Sequence, residues 1–207
     1  MSNKIRNVVL IILAIALIGM TIVYAALSQT LNITSTAKVK ASTWDIHFAN
    51  LSEATKVGGA NVTTPPTLAS TTISGLDVSL VKPGDSVSYT FDVVNNGSID
   101  ANLGTYTINT KGNGITCTDS SGSTTSSNAT NVCNNLIFTL TYNTATTAAQ
   151  TGTAISAGTA VAKNQKLKAG QTVKLKLTVT FNSAATSVPT SDVTISGLNS
   201  TLVYDQQ

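Results

Sequence analysis

The chain has 207 residues, of which 42% are apolar and only 10% charged, and its 12 basic and 9 acidic residues give a formal net charge of +3. That length suits one good core and leaves little room for a second full domain. Few aromatics and plentiful Ser, Thr, Asn and Gly exclude a bundle of charged amphipathic helices and favour short strands joined by polar turns.

The first 27 residues differ from everything after them. Lys4 and Arg6 precede "VVLIILAIALIGMTIVYAAL", an uncharged run long enough to span a bilayer as a helix. Val23 and Ala25 also supply the small residues of a signal-peptidase site, which would make Ala26 the first residue of the released chain. Residues 1–25 are read as a signal peptide cleaved after Ala25. The alternative is an uncleaved membrane anchor, because the run exceeds the roughly 7 to 15 residues of a usual signal core. Both readings send residues 26–207 out of the cytoplasm as a single β-domain, since positive flanks stay inside. Without Lys4 and Arg6 the exported part keeps ten basic residues against nine acidic ones and has no arginine. Bidentate recognition of phosphates or bases is then missing, and nucleic acid is excluded as a partner.

From the proposed cleavage site onward, Leu31, Ile33, Ala37, Val39 and Ala41 alternate with polar residues, the period of a half-buried strand running from Leu27 to Ala41. At Ser42 and Thr43 the apolar phase slips. Trp44, Ile46 and Phe48 continue it on even positions with Asp45 and His47 opposite, so a bulge or bend there would restore a common inner face. A loop with Gly58, Gly59, Pro65 and Pro66 leads to "TTISGLDVSLV", where Ile73, Leu76, Val78 and Leu80 are apolar.

Next comes "LVKPGDSVSYTFDVVNNGS", a strand with turn signals at both ends: Pro83 and Gly84 before it, Asn95, Asn96 and Gly97 after it. Val87, Tyr89, Phe91 and Val93 point one way. The pattern returns in "LKAGQTVKLKLTVTFNS", with Val173, Leu175, Leu177 and Val179 inward. The pentapeptide Thr-Ile-Ser-Gly-Leu also occurs twice, at Thr72–Leu76 and Thr194–Leu198. The two repeated motifs come in reversed order and at unequal spacing, which favours similar local solutions within one domain over a tandem repeat. Further strands are expected over Leu103–Thr110, Ile115–Thr118, Leu136–Tyr142 and Leu198–Tyr204, with polar loops over Asp119–Asn131 and Asn143–Ala154, either of which leaves room for a short helix. Eight to ten such strands predict an all-β antiparallel sandwich with Greek-key connections behind an N-terminal hydrophobic helix. Cys117 and Cys133 bracket a polar loop in the exported part. They are read either as a disulfide or as two thiols.

Catalytic and metal chemistry lack their residues. There is one histidine, His47, and one glutamate, Glu53, with no HExxH or GxSxG pattern. His47 reads as an outward strand residue, Asp85 as a turn residue and Asp92 as an outer-face one. "KGNG" at Lys111–Gly114 lacks a phosphate-loop pattern and reads as a hairpin turn. No catalytic residue, metal ligand or cofactor is expected, and the chain is not expected to be an enzyme.

The export segment ending "VYAALSQTLNI", then "WDIHF", then "SGLDVSLVKPGDSVSYTFDVVNNGS", together resemble the TasA/camelysin family of exported bacterial proteins over roughly residues 1 to 98. "PGDSVSYTFDVVNNG" by itself is shared with many extracellular Ig-like sandwich modules. The resemblance implies a jelly-roll-like sandwich, release by a signal peptidase, and self-association into cell-surface or biofilm-matrix fibres. It also implies donor-strand exchange, in which Leu27, Leu31, Ile33, Ala37, Val39 and Ala41 of one subunit would complete a sheet of the next. The residues alone leave open whether that strand pairs within its own subunit. Camelysin-type relatives are also classed as metallopeptidases; this chain shows no zinc-binding pair of histidines, so that activity is not carried over. A membrane-anchored, Ig-like binding or adhesion module is the alternative reading.

Overall fold

A computed structural model describes residues 2–27, 35–147 and 154–206. The chain forms two compact units, Met1–Lys40 and Ala41–Gln207.

In the first unit, α1 (Asn3–Leu27) is an unbroken helix of 25 residues. Over Asn3–Thr21 its mean hydropathy is 1.9 and none of it is buried. At about 1.5 Å per residue such a helix extends for about 37 Å, beyond the roughly 30 Å of a bilayer core. Length and composition suit a membrane span and a signal sequence alike. The hydroxyl of Thr21 donates back to the carbonyl of Leu17 at 2.6 Å, which satisfies a polar group inside the apolar run. Val23, Ala25, Ala26 and Leu27 all lie within this helix.

Leu31 and Ile33 fall outside the described residues. The expected strand from Leu27 to Ala41 is not formed where it can be followed. Leu27 is helical, residues 35–41, including Ala37 and Ala41, carry no strand pairing, and Val39 is 94% exposed. Alternation specifies which side chains share a face; it does not supply a neighbouring backbone for the ladder.

The second unit contains β1 (Ile46–Ala49), β2 (Thr55–Val57), β3 (Asn61–Thr64), β4 (Thr67–Leu68), β5 (Ile73–Ser74), β6 (Asp77–Ser79), β7 (Ser86–Asn95), β8 (Ala101–Ile108), β9 (Thr110–Lys111) and β10 (Gly114–Asp119). After the helix α2 (Ser127–Asn135) come β11 (Leu136–Tyr142), β12 (Thr146–Thr147), β13 (Ala154–Ile155), β14 (Lys166–Leu167), β15 (Thr172–Phe181), β16 (Val193–Ser196) and β17 (Ser200–Gln206). The pairings are antiparallel except for the short contact of β9 with β10.

The two strands with matching turns pair with each other. β7 and β15 run antiparallel from Val94↔Thr172 to Ser86↔Thr180 at the centre of a sheet ordered β1-β7-β15-β11, with β2 also on β7. Gly84 and Gly170, which precede them, have φ of 91° and 73°, values that favour glycine. Side chains of this sheet, among them Phe91, Val93, Leu140 and Leu175, meet Leu103 of β8 and Leu167 of β14 in the main core. The expected inner face of β7 is buried throughout.

Two local expectations are corrected. Trp44 does not share the inner face with Ile46 and Phe48. It precedes β1 and is 39% exposed, and the pairing of β1 with β7 begins at Ile46. Asp92 does sit opposite Phe91 and Val93 but is buried rather than solvated: Asn50 Nδ2 donates to it at 2.8 Å and Lys174 Nζ lies 3.6 Å away. "KGNG" contains the expected tight turn, with Thr110 and Asn113 exchanging backbone N–H···O bonds at 2.9 Å, but the turn protrudes from one line of pairing and does not join two long hairpin strands. Ile108 pairs with Ser200 and Thr116 with Ser196, so β8 and β10 continue in one direction and the residues between them loop out. The polar stretch from Asp119 contains the start of α2, capped by the Ser126 hydroxyl, which accepts from Ala129 N at 3.2 Å.

Cys117 of β10 and Cys133 of α2 are disulfide-bonded, 16 residues apart, within a second core cluster that includes Ala129, Val132 and Phe138. Closing a loop of that length stabilises by about 3 kcal/mol in the chain-entropy model. The Cys117→Ala/Cys133→Ala variant is expected to unfold about 9 °C below the parent in a thermal melt. A melting point insensitive to the replacement would assign the bond no stabilising role.

Candidate assembly groove

β16 and β17 are two halves of one kinked strand. Among the described residues β16 pairs only with β10 and β17 only with β8. Their other edges have no strand beside them among the described residues. Such an edge presents a row of free N–H and C=O groups, the template on which a further strand adds.

The kink is made by Gly197, whose φ is 77°. A Cβ there would lie 1.9 Å from the Gly114 carbonyl oxygen, so only glycine lets the two backbones approach. Asn109 secures the crossing by donating from Nδ2 to Gly197 O at 2.8 Å and from its backbone N to Asn199 O at 2.9 Å.

Two cavities border the bare edge. The first, of about 250 Å³, has Leu198 and Leu202 on the strand side and Ile73 and Leu76 opposite, over a floor of Phe91 and Leu140. The second, of about 450 Å³, lies between Leu76–Val81 and Pro189–Ile195. A smaller hollow of about 80 Å³ continues past Phe48 and Thr71 to Leu202 and Tyr204. Leu76 and Leu198 line both larger cavities. Together these spaces form a groove along the β16–β17 edge.

The groove explains the repeated pentapeptide. Gly75 and Gly197 both have positive φ, 78° and 77°, and each turns the leucine that follows it into the groove. The opposite wall is carried partly by the β4–β5 hairpin, which is held to β1 by a hydrogen bond from Phe48 N to Ser70 O at 2.7 Å.

Two carboxylates position the surroundings. Asp85, fully buried, accepts from Gly59 N on Oδ1 and from Val81 N and Lys82 N on Oδ2, at 2.9 to 3.0 Å. Burial pushes its pKa up, but these three N–H groups and the Lys82 charge outweigh it and hold the carboxyl below the ordinary value. Asp45 accepts from His47 Nδ1 at 2.8 Å, and that bond leads the effects that lower its pKa. His47 is thus engaged with Asp45 at the edge of the small hollow. Among the described residues no three of His, Cys, Asp and Glu come together.

No protein-family model, curated protein or solved structure matches this chain.

Of the residues singled out from sequence, the structure unites Cys117 with Cys133 and places Val23, Ala25, Ala26 and Leu27 on α1. The groove residues Leu76, Leu198 and Leu202 were seen only as apolar strand positions. The signal that could have found two of them was the repeated Ile-Ser-Gly-Leu itself.

Proposed function

We propose that this chain is a non-enzymatic exported structural protein, a subunit of a cell-surface or biofilm-matrix fibre that assembles through its N-terminal strand. One observation carries the reading: among the described residues the β16–β17 edge is bare and bordered by cavities, the first of them mainly apolar, while residues 35–41, which alternate as a strand should, pair with no strand there. An inserted strand would satisfy the edge backbone and fill the groove in one step. A jelly-roll-like connectivity and kinship with TasA/camelysin proteins belong to the same proposal, on the strength of the sequence motifs alone.

In this reading a signal peptidase cuts after Ala25, which makes Ala26 the start of the donor segment, and the subunit functions outside the cell. A second reading is favoured by a different observation. α1 continues unbroken past Ala25 to Leu27, as an uncleaved anchor would, and would hold an Ig-like binding module at the membrane surface.

N-terminal mass spectrometry on protein recovered from its native host, with sizing of the same sample, tests the two. The fibre reading expects chains that start at Ala26 in high-mass material. Intact residues 1–25 on monomeric protein would overturn it in favour of the anchored module.

A further inference from the structure

The fixed charges that border the groove are of one sign. Asp77 and Asp192 both line the cavity of about 450 Å³, one on each wall, and no lysine lines any of the three cavities along the edge. The neighbours of the two aspartates decide which way they stand. Leu76, Val78 and Leu80 pack against the second core cluster, as do Val193 and Ile195. Asp77 alternates with the first set and Asp192 precedes the second, so both carboxylates stand on the outer rim of the groove. The backbone of Asp192 prolongs the β16 ladder, its carbonyl accepting from Ser120 N at 3.1 Å. The ion pairs among the described residues are His47–Asp45 and Lys174–Asp92, which leaves the rim negative.

Residues 35–41, which pair with no strand among the described residues, carry the opposite sign. They include Lys38 and Lys40 and no acidic residue, and both lysines are exposed. The lysines lie on the even-numbered side of the segment, opposite Ala37, Val39 and Ala41. An extended segment that lays its apolar side over the cavity therefore turns both ammonium groups outward, to the side on which Asp77 and Asp192 stand.

We propose that Lys38 and Lys40 of one copy pair with Asp77 and Asp192 on the rim of the next, an electrostatic clamp that seats residues 35–41 over the second cavity. This rests on the fibre reading above. Exposed ion pairs add little affinity each; their larger effect is on how fast partners meet and on which surfaces they choose. The clamp makes two such choices. It directs the basic segment to the second cavity rather than the first, whose lining carries no charge. It also favours head-to-tail addition, because pairing two bare edges about a two-fold axis would bring two acidic rims together.

The test is a mixing experiment on the exported chain as the host releases it, read as the critical concentration for sedimentable polymer. Lys38→Glu/Lys40→Glu and Asp77→Lys/Asp192→Lys each set like charges against one another. Each is expected to raise that concentration about tenfold, the effect of turning two exposed attractive pairs repulsive. An equimolar mixture of the two variants offers opposite charges at every junction of an alternating polymer, and is expected to assemble near the parent's concentration. In about 1 M salt, where charges are screened over about 3 Å, the penalties are expected to shrink to about twofold. Should Asp192→Lys lower the melting point, the exposed Asp77→Lys alone, mixed with Lys38→Glu/Lys40→Glu, repeats the test. Charge-reversed variants that polymerise like the parent, or a mixture no better than its components, overturn the clamp and leave the fibre reading intact. Rescue in a chain that combines all four reversals, but not in the mixture, would place the pairs within one subunit and also overturn it. A parent chain that never polymerises removes the fibre reading and this inference with it.

Discussion

Replacing Val39 with aspartate is expected to abolish polymerisation while leaving the fold untouched. Val39 lies on the odd-numbered face of the proposed donor strand and is 94% exposed in the isolated chain. The free subunit therefore loses nothing when it changes, and its melting point should hold to within about 0.5 kcal/mol of stability. In the assembled state the same side chain would be buried. Losing the valine contact costs about 1.5 kcal/mol or more, and an unpaired carboxylate in an apolar groove adds several kcal/mol. Together they raise the critical concentration about a thousandfold, measured by sedimentation or light scattering. Thr36→Asp puts the same charge on the opposite face and should shift it only a few-fold. Polymer formed equally well by both variants would show that the N-terminal strand is not the donor.

The central sheet was legible in sequence because two independent signals agree there. β7, β11 and β15 alternate cleanly, and β7 and β15 each follow a turn whose glycine the structure places at positive φ. Where only one signal exists the reading fails. Trp44 continues the alternation of Ile46 and Phe48, but alternation does not say where pairing starts, and Trp44 lies ahead of β1 and exposed. α2 has a polar sequence with Ala129, Val132 and Cys133 as its buried residues, and a disulfide and a serine cap hold it in place. Neither is a periodic feature.

The groove was half legible for a further reason. Its apolar residues could be read off the chain, whereas a bare edge is defined by the neighbour that is absent, which no local pattern encodes. Asp92 makes the same point from the other side: period two predicts its face correctly, and its burial comes from Asn50, 42 residues away.

Loss of Asp85 is expected to be the most damaging single truncation outside the apolar core. Its two oxygens hold three backbone N–H groups, from the Gly58–Gly59 bend and from Val81 and Lys82, at a site closed to solvent. Asp85→Ala leaves all three donors unpaired, at a cost of about 3 kcal/mol or more after local relaxation, a fall of roughly 10 °C in a thermal melt. The pH dependence has a definite sign. The folded carboxyl titrates below its ordinary 3.8, so its contribution is complete above that value and is lost as pH falls through the folded pKa. The parent should therefore lose stability in acid, and the alanine variant should lack that component. Val81 ends the segment Leu76–Val81, one wall of the second cavity. If that wall is what a donor strand packs against, Asp85→Ala should impair polymerisation even at temperatures where the subunit remains folded, whereas the disulfide variant, compared at equal stability, should impair it less. Equal polymerisation by all three chains under those conditions would mean that the groove wall is not part of the assembly contact.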